Sequence, residues 1–140
     1  MEALQIPFEA SFPSLLERAL EGKTPRRVEV VNASVRGWGT DDELQYLTTH
    51  GMQWKPDLVV VAMTLHNDIS DNLRKPQRLV TRVADQVGIP VIDLLPAFRE
   101  WTTGGDATLY LERDGHWNDQ GHRLGSDIVS RELVRRGLIP

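Results

Sequence analysis

The stretch DLVVVAM, residues 57–63, decides how this chain reads. After Asp57 the run is apolar without a break and rich in β-branched valine. A strand with one wet face alternates apolar and polar residues. An unbroken run predicts a strand covered on both faces, the kind found in parallel sheets between layers of helix. The polar loop TLHNDISDN follows directly.

Working outward, the neighbouring segments alternate between helix and strand patterns. Upstream, Thr40 with Glu43 matches a capping box, which predicts a helix over 41–49. Before it, VEVVNA reads as a short buried strand from Val28. Earlier still, FPSLLERALEG reads as a helix, with Pro13 in its first turn, Leu15, Leu16, Ala19 and Leu20 as its apolar stripe, and Gly22 as its stop. Downstream, PQRLVTRVADQVG predicts a helix from Pro76 to Val87. IPVIDLL is a third short strand leading into a turn of helix at LLPAFREW. TTGGDATLYLERDG reads as loop. Asn118 can cap a last helix, which Gly137 closes. Strands separated by helices imply right-handed crossovers and a parallel sheet, hence a three-layer α/β/α architecture. Ligands of such sheets bind at the carboxyl ends of the strands, where the polar segments of this chain fall.

The 140 residues suit one domain, expected over 1–140. Hydrophobic residues make up 40% and charged residues 26%, as in ordinary globular proteins. A net charge of −4 argues against a nucleic-acid partner, which needs a basic surface; Arg74, Lys75 and Arg78 form the one local basic cluster. Cysteine is absent, so thiol nucleophiles, disulfides and Cys-ligated zinc are excluded. No apolar run approaches the roughly 20 residues of a membrane span. The N-terminus lacks the basic start and apolar centre of a signal peptide. No cofactor is expected, and the compartment stays open.

Chemistry concentrates in ERDGHWNDQGH, residues 112–122. Asp114 precedes His116 by two positions. A carboxylate that accepts from one imidazole nitrogen fixes the tautomer and leaves the other nitrogen to act as a base. The alternative is a surface loop whose Asp and His touch only solvent. In HND, residues 66–68, Asn67 ends a buried strand and could donate to an oxyanion, or merely form an Asx turn. Gly37 and Gly39 in NASVRGWGT could offer a second backbone donor, or form a plain connection into the following helix. His122 with His116 and Asp114 could be imagined around a metal, but a histidine that packs or bonds backbone is the stronger reading, so no metal is expected. His50 looks like a helix-end residue. Trp54 and Trp101 read as packing residues. Trp38 and Trp117 could line a pocket, with core packing as the default.

Together and in order, these pieces resemble the SGNH (GDSL-type) hydrolase family. VVNASVRGWGTDDEL looks like its second block, with Gly39 or Gly37 as the glycine. DLVVVAMTLHND looks like its third, with Asn67 as the oxyanion asparagine. YLERDGHWNDQGH looks like the last, with His116 as base and Asp114 as its partner. The resemblance implies an incomplete flavodoxin-like SGNH fold and acyl or O-acetyl ester hydrolysis, on a small acyl ester or acetylated carbohydrate. His66 departs from the usual glycine, and Asp114 sits closer to the histidine than in many members.

The larger departure is that no Gly-Asp-Ser nucleophile block exists. A segment similar to EALQIPFEASFPSLLERAL follows that block in the family, so the chain is expected to be truncated or to start at an internal methionine. A further strand and helix also look missing after NDISDN. Losing both leaves strands without their neighbours, which predicts a rearranged small sheet or a homo-oligomer that supplies them. Two functions follow: an ester-hydrolase lineage whose nucleophilic serine is absent from this chain, or an inactive remnant that binds a ligand or assembles with itself.

Overall fold

The computed structural model describes residues 5–62, 81–82, 84–86, 88–103, 108–112 and 116–139. They fall into two compact units, Met1–Asn32 with Leu94–Pro140, and Ala33–Asp93.

The first unit is built on α1 (Phe12–Leu20), α3 (Leu95–Thr103) and α4 (Asp119–Arg135), with a 3-10 turn at Phe8–Ala10. Pro13 sits in the first turn of α1, where its missing N–H costs nothing, and Gly22 at φ +71° follows its end. Phe12, Leu16 and Leu20 bury one face of α1 against α4. On α4 the buried stripe is Gly121, His122, Gly125, Ser126, Val129, Ser130 and Leu133. Its small residues let neighbours approach closely. The two serine hydroxyls are satisfied within the helix, Ser126 donating to Arg123 O and Ser130 to Asp127 O. Phe98 of α3 and Leu109 complete this core. Each fully buried Leu or Phe contributes about 1.5–3 kcal/mol. At the far end of α4, Leu138 N–H donates to Leu133 O and Gly137 takes φ +61°, the stop expected from the sequence.

The second unit holds α2 (Thr40–Thr49), followed by a 3-10 turn at Gly51–Trp54 that ends at Lys55 with φ +52°. Residues 81–82 and 84–86 are helical, within the helix expected over 76–87, and Gly88 at φ +71° closes them.

The expected three-layer α/β/α sheet is not found among the described residues. Among the described residues no strand forms, and the one β pairing is an isolated antiparallel bridge between Tyr110 and Trp117. The segments read as strands, from Val28, from Asp57 and from Ile89, run without regular structure wherever they are described. This corrects the flavodoxin-like fold and the lipase-like α/β architecture that goes with it. Nor do the described residues hold a rearranged small sheet. The physical reason is that β-propensity reports fit to a pleated, half-covered surface, and does not by itself make a strand. Among the described residues these segments join no ladder. The Val30 N–H goes instead to the Glu17 carboxylate of α1, at 2.7 Å. Leu58 to Val61 are exposed one after another, so neither face of that run is covered.

Candidate functional site

His116 lies where segments 109–111 and 116–118 run antiparallel. Leu111 N–H donates to His116 O at 2.8 Å, and Asn118 N–H donates to Leu109 O at 3.0 Å. Asn118 then starts α4 as the sequence predicts, its side-chain oxygen accepting from Gly121 N–H at 3.0 Å. Its amide nitrogen reaches back to Thr108 O at 2.8 Å. One residue therefore fixes both the helix start and the incoming segment.

Trp117 anchors the pair from the other side. Its ring packs on Phe98 at 4.9 Å between centroids, on Phe12 at 6.3 Å and on His122 at 5.7 Å. It rests on the bare backbone of Gly121 and Gly125, where an added Cβ would come within 2.9 Å and 2.8 Å of it. Trp117 thus packs onto the core and is itself part-buried. His116, beside this anchor, is exposed. Its intended partner Asp114 lies outside the described residues, as do Asn67 with its neighbours His66 and Asp68, and the basic cluster Arg74, Lys75 and Arg78.

His122 is not a metal-ligand candidate. It is 2% exposed, and its Nδ1 accepts from the Phe12 N–H at 3.1 Å. That amide opens α1 and has no partner within its own helix. Ser11, the N-cap residue, does not cap it, because its hydroxyl donates to Phe8 O. The neutral imidazole therefore bridges the start of α4 to the start of α1 with Nε2 carrying the proton. Burial lowers its pKa below the usual value, with Asp119 opposing. Among the described residues no three His, Asp or Glu side chains gather as metal ligands.

In the second unit, Gly37 takes φ +80° at the third position of a turn in which Trp38 N–H reaches Val35 O. Gly39 has an ordinary negative φ and is the N-cap of α2. Its N–H donates to the Asp42 carboxylate at 3.1 Å. The N-cap is therefore Gly39, one residue before the Thr40 read from the sequence, and Asp42 reaches back to it. The Gly39 N–H is engaged by a carboxylate, which would repel an oxyanion. Asp42→Ala frees it and should cost about 1 kcal/mol, as cap losses do. A urea melt of this variant that overlays the parent would disprove that role.

Trp38 packs on Tyr46 at 5.3 Å, and His50, the C-cap of α2, stacks on the same ring at 5.2 Å. Trp54 and Trp101, read as packing residues, are about half exposed. The sequence reading missed two contacts, Phe12 N–H on His122 and Trp117 on the glycines. The second had a signal: Gly121 and Gly125 stand one helical turn apart, just after the tryptophan.

No protein-family model matches this chain, and neither a curated protein nor a solved structure matches it significantly.

Proposed function

We propose that this chain descends from an ester-hydrolase lineage and, as it stands, binds an acyl-ester or acetylated-sugar ligand, or assembles with copies of itself, without turning substrate over. The proposal concerns chemistry and lineage, not the three-layer architecture. What supports the lineage is the order of Asn67, Asp114 and His116 along the sequence, together with the exposed position of His116 on an anchored segment. What supports the absence of turnover is the missing Gly-Asp-Ser block, together with the state of the buried serines among the described residues. Ser11, Ser126 and Ser130 are each at most 3% exposed, and each hydroxyl donates to a main-chain carbonyl. A nucleophile must instead reach the base, and the reacting carbon beyond it. The Gly39 N–H, the backbone oxyanion donor implied by the resemblance, is also engaged.

The test is hydrolysis of p-nitrophenyl acetate by the 140-residue chain beside a His116→Ala variant. Both should match buffer. Turnover that vanishes in the variant would overturn the proposal, because an activated water or another serine would then be serving His116.

A further inference from the structure

We infer that His122 is an acid-sensitive latch on the start of α1: a proton on its Nδ1 releases the 3-10 turn Phe8–Ala10 and the first residues of α1 from α4, while the rest of α1 stays docked. The inference stands apart from the ester-hydrolase reading. The latch is one hydrogen bond, from Phe12 N–H to His122 Nδ1 at 3.1 Å. The ring is buried, so water has little access to either group while the segment is closed. A protonated Nδ1 is a donor and cannot accept. Two N–H groups would then face each other out of water, and release lets water satisfy both. The Ser11 side chain makes no cap bond that could take its place. The neighbours packed on the ring are uncharged, Phe12 from α1 and Trp117 from the segment before α4. Within α4, Asp119 stands one turn away, and its carboxylate favours the proton that burial opposes. Glu9 and Arg18 lie at the 3-10 turn, joined through the Glu9 carbonyl and the Arg18 guanidinium.

The way this end is held makes the release local. The 3-10 turn buries no residue of its own, and Phe8 is 68% exposed. Its hydrogen bonds close within the turn, Ala10 N–H on Pro7 O and Ser11 N–H on Phe8 O, or run to α1 through Arg18. Among the described residues, the hydrogen bond that ties segment 7–12 to α4 is the one on His122. What else holds it is the Phe12 ring, seated on Trp117 and against Gly125. Further along, Leu16 and Leu20 stay buried on the face that meets α4. Segments with few buried groups open before the core does. The seat that Phe12 vacates lies on Trp117, so release bares apolar surface beside the exposed His116.

Amide hydrogen exchange of the full chain, followed by NMR as pH is lowered through about 6.5, reads this directly. Opening that takes up one proton becomes about tenfold more favourable per pH unit. Hydroxide-catalysed exchange slows by the same factor, so the two cancel. In the parent, the Phe12 amide should therefore exchange at a level rate across the window, while the amides of Leu20, Val129 and Leu133 slow as hydroxide falls. In His122→Asn, which keeps an acceptor and gains no proton, the Phe12 amide should slow with them. A Phe12 amide that slows in the parent as the core amides do would overturn the inference. So would a level rate at all four amides, which is loss of the whole core, or a level Phe12 rate that persists in the variant. The first comparison lies within the parent, so it decides the inference even where the variant does not fold.

Discussion

Replacing Gly121 with alanine should destabilise the protein by about 3 kcal/mol, the upper part of the range for overpacked cores. The sign makes this informative. In a bare helix, Gly→Ala stabilises by about 1 kcal/mol, because alanine has the higher helix propensity and glycine the larger backbone entropy. At Gly121 the new Cβ would overlap the carbonyl oxygen of Leu109 and lie 2.9 Å from Trp117 Cβ. The carbonyl belongs to the main chain and accepts from Asn118 N–H, so it cannot swing aside as a side chain would. Relief requires the 109–111 segment to lift from α4, taking Leu109 out of the core. Gly125→Ala gives a graded comparison. There the nearest atoms are the Trp117 ring at 2.8 Å and Phe12 at 3.6 Å, and a ring can tilt. Its loss should be smaller, and partly offset by the propensity gain. Urea denaturation of both variants measures this. Stabilisation by both would mean that Trp117 does not sit on the glycines.

The two glycines also mark how much of this protein the sequence disclosed. Helix ends were legible because local chemistry makes them. Pro13, Gly22, Asn118 and Gly137 all act where they were read. α1 was legible because its apolar positions recur at helical spacing, and α4 because Asn118 and Gly137 mark its ends. The sheet was not, although DLVVVAM is as strong a strand pattern as a sequence offers. A helix closes its hydrogen bonds within itself, whereas a strand exists only when a second segment lies beside it. The run that pointed to a covered strand is uncovered here, and the exposure of Val59, Val60 and Val61 measures that mismatch. Of the candidate site, the described residues show His116 exposed on an anchored segment, while Asp114 and Asn67 lie outside them. The Gly39 N–H is not available in the way its sequence context implied, because Asp42, one turn into α2, reaches back to it.

His122 carries the second large effect, and it acts twice. Truncation to alanine removes a buried ring and leaves the Phe12 N–H without an acceptor at the start of α1. Together these should cost about 2–4 kcal/mol. His122→Asn should cost less, because its side-chain oxygen can take the place of Nδ1 as acceptor. The same bond makes stability depend on pH. Nδ1 accepts the Phe12 N–H only while it is unprotonated. Burial lowers the folded-state pKa, so the folded chain resists a proton that the unfolded chain accepts near pH 6.5. Above that pH the histidine is neutral in both states and contributes no slope. As pH falls through about 6.5 the unfolded state gains the proton first, so stability declines. The decline ends below the lowered folded pKa, where both states are protonated. Urea melts across this window should therefore show a loss toward acid in the parent that flattens in His122→Asn, which keeps the acceptor and removes the titration. An identical slope in both proteins would assign the acid sensitivity to carboxylates elsewhere. A flattened slope would show that a single imidazole ties the start of α1 to α4, and that mild acid loosens the core on which Trp117 rests beside His116.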